Sequence, residues 1–258
     1  MAKDPRSPIK AKPLRNPGQS LDEQIQKLFD EDFMGYYWLA AGAFVLAMTE
    51  WIGYLLKAPR APWIYTVVAL ALIARAAWKF FPLRAQVRRL KQGRDGERAV
   101  GQFLEGLRVN GARIFHDIPG EDFNLDHVVI SERGIFVVET KTISKPFTDA
   151  RVTVEGDEIL VAGQKMDRNP LRQVRAQCAW LSRVLLESTG KTHPIRGVVA
   201  FPGWFVAPLP KGSPRDVWVL EPKALPAFIE KEPQQLRADE VAMAACHLSR
   251  FIRAELAE

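Results

Sequence analysis

Apolar positions follow two regimes along this chain. From Phe33 to Phe81 they run almost without interruption. The stretch FMGYYWLAAGAFVLAMTEWIGYLL (33–56) carries Glu50 as its one charge, and APWIYTVVALALIARAAWKFF (61–81) is broken only by Arg75 and Lys79. Each run is as long as the about 20 residues that a helix needs to cross a bilayer. Tyr36, Tyr37 and Trp38 at one end, with Trp51, Tyr54, Trp63 and Tyr65 around the connecting KAPR turn, sit where interfacial aromatic belts belong. Arg75 and Lys79 fall near the far end of the second run, within snorkelling reach of head groups. The competing reading, two buried helices of a soluble domain, needs cover on all sides that the remaining core could hardly provide.

Beyond the second run the pattern changes. Residues 83–109 read as helix, with a break expected near Gly93–Gly96. From Arg113 onward strands are predicted near 113–118, 124–131 and 134–141, and a charged hairpin across 151–162. A helix should follow from Pro170 to about Glu187, with Asn169 as N-cap and Pro170 in first position. Its apolar stripe is Leu171, Val174, Cys178, Leu181 and Leu185. Strands near 196–201 and 216–220 and helices at about 222–230 and 236–256 complete the series. The predicted class is α/β, a mixed central sheet flanked by helices, preceded by a transmembrane helical hairpin. The expected divisions are a basic tail without structure and a short amphipathic segment (1–32), the hairpin (33–82), and the α/β domain (83–258).

Charge modifies this picture only after it is located. The net +6 divides evenly: residues 1–81 hold 10 Lys+Arg against 7 Asp+Glu, and the remainder 26 against 23. A surplus of three on each part is too small to argue polyanion binding by itself. Lys and Arg flank the spans, with six before residue 33, two in the turn and Arg84, Arg88, Arg89, Lys91 and Arg94 just after the second. This places both termini and the α/β domain on the cytoplasmic side. The last cluster suits anionic lipid head groups, and a nucleic-acid backbone is a second possibility. No signal peptide is expected, since no apolar core falls within the first 30 residues. The two cysteines, Cys178 and Cys246, have neither metal-ligand spacing nor a disulfide framework, which fits a reducing compartment.

The chemistry is concentrated in one hairpin. Side chains two apart on a strand share a face, so Glu139 and Lys141 point the same way. If Glu132 and Arg133 form a two-residue loop, Ser131 pairs with Gly134 and Asp126 comes opposite Glu139. A four-residue loop keeps that register; a three- or five-residue loop shifts it. Like charges facing each other across antiparallel strands, about 4.5–5.5 Å apart at Cβ, destabilise a sheet unless they share a proton or a cation. Carboxylate oxygens suit Mg²⁺ or Mn²⁺, which take one or two protein carboxylates and fill the remaining positions with water and phosphate oxygens. Lys141 would then orient the attacking water or offset charge developing on phosphorus. A structural ion pair bracketing Lys141 is the plainer alternative. The flanking Val, Ile and Phe, which mark a central strand, weigh against it. His116 and His127 are expected to be structural, His127 on the face opposite Asp126.

Four ordered motifs, Gly96-Glu97, Leu125-Asp126-His127, Gly134-Ile-Phe-Val-Val-Glu139-Thr-Lys141 and Asn169-Pro170-Leu-Arg-Gln173, resemble the NERD (nuclease-related) domain. That family is similar to the PD-(D/E)xK restriction-type nucleases, and the resemblance covers about residues 95–205. It implies a restriction-endonuclease-like fold, Asp126 and Glu139 as metal ligands, and Lys141 as the catalytic lysine. It further implies that Glu97 aids the metal or its water, and that Gln173 hydrogen-bonds toward the site or substrate. Leu125 stands where the wider superfamily usually has proline. The implied protein is a membrane-anchored, Mg²⁺- or Mn²⁺-dependent nuclease acting on DNA or RNA. The alternative from another class is a non-catalytic module that binds nucleic acid or protein at the membrane.

Overall fold

A computed structural model describes residues 14–57, 62–121, 123–145, 150–209 and 216–256. Residues 1–13 of the expected tail and most of the turn between the apolar runs lie outside them. The chain separates into two units, Ser20–Gln92 and a second made of Met1–Gln19 with Gly93–Glu258.

In the first unit, α1 (Gln19–Leu28) leads through one π turn into α2 (Met34–Leu55), and α3 begins at Pro62. Small residues make the helix–helix contact, where Ala43, Ala47 and Ala69 are buried together with Leu72 packed against them. Trp51 Nε1 donates to Thr66 Oγ1 at 2.7 Å across the pair. The large apolar side chains point the other way: Trp38 is 64% exposed and Leu70 62%. Two helices are therefore long and apolar enough to cross a membrane, and the protein does not bury them.

One expectation about α3 fails. It runs unbroken from Pro62 to Glu105, through Pro82 and through the glycines at 93 and 96. Gly96 serves close packing instead of ending the helix. A Cβ built there would stand 1.7 Å from Thr142 Oγ1 and 2.9 Å from Thr142 Cβ. Gly96→Ala should thus cost about 1–3 kcal/mol or more by overpacking. Gly42→Ala, with nothing within 4 Å, should be neutral or slightly stabilising. Thermal melting of the two variants side by side checks the contrast.

The second unit is built on a five-stranded sheet in the order β1-β2-β3-β7-β8. β1 (Arg113–Pro119), β2 (Asn124–Ser131) and β3 (Gly134–Thr140) form an antiparallel meander, and β7 (Ile195–Ala200) and β8 (Val217–Leu220) continue parallel to β3. Every residue of the central strand β3 is buried, as a strand covered on both faces must be. Ser131 pairs with Gly134 across a two-residue turn, so the predicted register holds. Gly134, at φ 126, takes a backbone conformation that a side chain would oppose.

Alternation assigns the two faces. Val128, Ile130, Ile135 and Val137 pack with α4 (Pro170–Thr189) and α6 (Ala238–Glu255), while Val129, Phe136 and Val138 pack with the end of α3 and with α5 (Leu225–Lys231). Helix α4 starts where expected: the Asn169 side chain accepts from the backbone N–H of Leu171 and Arg172, and Pro170 occupies the first turn. A small separate sheet, β4 (Val152–Glu155), β5 (Glu158–Val161) and β6 (Gln164–Lys165), is the expected charged hairpin with a third strand added.

Residues 14–18, expected to belong to an unstructured tail, also differ. Arg15 Nη1 pairs with Asp117 Oδ2 at 3.1 Å. Gly101 is tight against Pro17, with a Cβ there only 2.7 Å from Pro17 Cγ. A buried carboxylate with one long-range cation gives this otherwise polar segment its reason to dock.

Candidate functional site

The sequence-predicted residues converge at the C-terminal end of β3. Glu139 is 4% exposed and lies on the α4 face of the sheet. Lys141 Nζ donates to Glu139 Oε1 at 2.6 Å and to Gln173 Oε1 at 2.9 Å, so the capped start of α4 fixes the lysine. The other oxygen of Glu139 accepts from Gln177 Nε2 at 2.7 Å. Gln177 is buried one turn beyond Gln173 and was not foreseen. The i, i+4 spacing of two glutamines bordering an apolar stripe was the available signal.

Asp126 shares the face of Val128 and Ile130, and hence that of Glu139. The ladder between β2 and β3 closes at His127↔Val138, one step before these carboxylates. There the Asp126 side chain takes the place of a backbone acceptor: Thr140 N–H donates to Asp126 Oδ2 at 2.6 Å. Burial, then repulsion from Glu139 and Glu97, pushes the Asp126 carboxyl well above the usual carboxylate range. Glu97 is pushed up to about 8, first by burial and then by Asp117 and Glu139, although the Gly18 N–H donates to it. Helix α3 brings Glu97 in because Gly96 lets the helix approach Thr142.

Asp117 is a fourth acid that sequence reasoning missed. It is 2% exposed and sits inside β1 at φ 49, a left-handed conformation in mid-strand. Arg15 and Asn124 hold its two oxygens at 3.1 and 3.0 Å. On the other face, His116 Nδ1 and His127 Nδ1 stand 2.8 Å apart, and His116 Nε2 is 2.9 Å from Glu105 Oε1. Burial depresses both imidazoles, His127 most. A neutral, mutually hydrogen-bonded pair agrees with the structural role expected for them.

The donor set can be tested against a hard divalent cation. Among the described residues no three Asp, Glu, His or Cys side chains form a ready cage. Mg²⁺ needs none, since it binds through one or two carboxylates and keeps its waters. Each carboxylate oxygen has two acceptor positions. The single hydrogen bond on Asp126 Oδ2 and those on the two Glu139 oxygens therefore leave capacity. Burial first, and then crowding by neighbouring carboxylates, raises Asp126 and Glu97, and the crowding is the part that a cation would offset. The residues fit the ion.

The mixed sheet thus carries Asp126, Glu139 and Lys141 at one end, with Gln173 and Gln177 of α4 bonded to the last two. Residues 92–202 match the family model of the nuclease-related domain, NERD. No curated protein and no solved structure matches the chain.

Proposed function

We propose that the chain is a membrane-anchored, metal-dependent nuclease that hydrolyses nucleic-acid phosphodiester bonds on the cytoplasmic side. The observation that carries this reading is Lys141 Nζ held between Glu139 and Gln173, beside an Asp126 whose charge the site disfavours. It lies within the segment matched to the nuclease-related domain. Asp126 and Glu139 would hold Mg²⁺ or Mn²⁺, which when bound supplies Lewis acidity to the phosphate.

The chain's own groups do the rest. Lys141 orients the incoming water and offsets negative charge gathering on phosphorus as the P–O bond to the leaving sugar breaks. Gln173 fixes that ammonium, and Gln177 fixes the rotamer of Glu139. Glu97, largely protonated near neutral pH, can exchange a proton at the edge of the site. The α4 N-terminus adds partial positive charge toward the phosphate. The two apolar helices tether the domain, and the Lys/Arg after the second faces cytoplasmic lipid.

The full chain in detergent micelles should cleave nucleic acid with Mg²⁺ or Mn²⁺, lose the activity in EDTA, and regain it when metal is restored. Intact DNA and RNA after incubation with excess enzyme in both metals would refute the reading. Both Glu139 oxygens already bear hydrogen bonds, which favours as second reading a non-catalytic binding module. Its nucleic-acid affinity would be indifferent to EDTA and to Glu139→Gln.

A further inference from the structure

Beside Lys141 opens a cleft of about 730 Å³ that none of the roles above uses. One wall is the chain leaving β3, from Lys141 to Ser144, and the other is the β5–β6 turn with its continuation to Arg168. Trp204 closes the floor, 2% exposed, with Nε1 donating to Ile143 O at 3.1 Å. A parallel bridge between Val152 and Val206 ties this floor to the small sheet, so the two walls are held to one base. Within the turn, Ala162 is kept at φ 52, a conformation unfavourable for a residue with a Cβ. The rim is cationic. Lys165 and Arg168 are exposed, and among the described residues neither pairs with a carboxylate. The Lys145 Nζ stands 5.8 Å from the Trp204 ring centroid. Asp167 is the one acid in the lining.

We infer that this cleft is the substrate-strand channel and that its substrate is single-stranded nucleic acid, whose phosphates Lys165 and Arg168 hold as it leads to Lys141. The inference rests on the nuclease reading of the Lys141 site. Lys141 is 20% exposed and Glu139 5% at the side chain, so a phosphate must be drawn inward to reach them. A duplex is a stiff rod with a persistence length of about 150 base pairs, so bringing one of its phosphates in to Lys141 would need the whole rod to follow. A single strand can bend its backbone in and leave its bases splayed outside.

Binding tests this apart from cleavage. With full chain in detergent and EDTA present, fluorescence anisotropy would compare labelled single-stranded oligothymidylate with a duplex of equal length. The wild type should prefer the single strand by about tenfold. Lys165→Ala with Arg168→Ala should weaken that binding by about tenfold. It should also flatten the slope of log K against log salt by about 1.4, two phosphate contacts at about 0.7 each. A duplex bound as tightly as the single strand, or a slope unchanged in the double variant, overturns the channel. Strand-selective binding without any metal-dependent cleavage would keep the channel and discard the nuclease. Duplex cleavage with an unchanged slope would do the reverse.

Discussion

Replacing Lys141 by methionine should lower metal-dependent cleavage at saturating substrate by about 10²–10³-fold, the loss expected when a preorganised charge facing the transition state is removed. The stem of the side chain is nearly preserved, so the effect reports the ammonium. That ammonium is held by 2.6 and 2.9 Å bonds to Glu139 and Gln173, so it undergoes little reorganisation during reaction. The loss should therefore fall on kcat more than on KM. Lys141→Arg should not rescue, because a planar fork replaces a compact point charge in a space bounded by two partners. Gln173→Ala frees the lysine without deleting it and should cost less than either change. Single-turnover rates over a pH series, with melting curves as the folding control, would measure all three. A Lys141→Met protein that cleaves at the wild-type rate would remove the lysine from the mechanism.

What the sequence made legible here was local. The Glu132-Arg133 turn set the hairpin register, and that register put Asp126 and Glu139 on one face as observed. The Asn169-Pro170 pair fixed the start of α4 and so delivered Gln173 to Lys141. What escaped reading depends on contacts far apart in sequence. Arg15 reaches Asp117 across 102 residues, and nothing in a Pro- and Lys-rich opening marks one arginine as the partner of a buried acid. The positive φ of Asp117 interrupts strand alternation, and no turn residue announces it. Gly93 and Gly96 look like helix breakers because helix propensity is a local property. Gly96 is instead required by Thr142, nearly fifty residues on. Gln177 reads as helix border until Glu139 is seen opposite it.

The Asp126→Asn substitution should abolish metal-dependent cleavage and at the same time stabilise the metal-free protein, most strongly at alkaline pH. Asp126 and Glu97 have folded values above their unfolded ones, Glu97 at about 8 against 4.5. Between those values the folded state binds more protons than the unfolded, so stability falls as pH rises. It is fully present below about pH 4.5 and is lost as pH climbs through 8, opposite to an ordinary salt-bridged carboxylate. The introduced amide keeps an oxygen for the Thr140 N–H but has no charge to desolvate, and it removes one source of repulsion from Glu97. Each tenfold change in proton affinity relieved is about 1.4 kcal/mol, which is about 3–6 °C in a domain of this size. Thermal melts of the full chain in EDTA should show the wild type losing stability from about pH 5 to about pH 8 and Asp126→Asn losing less, the remainder being the share of Glu97, which burial, Asp117 and Glu139 still hold up. Added Mg²⁺ should raise the wild-type midpoint at the alkaline end and leave the variant unmoved, because the ion and the substitution relieve the same repulsion. A wild-type protein that grows more stable over this range, or a variant no more stable than wild type at its alkaline end, would show that these carboxylates do not crowd one another.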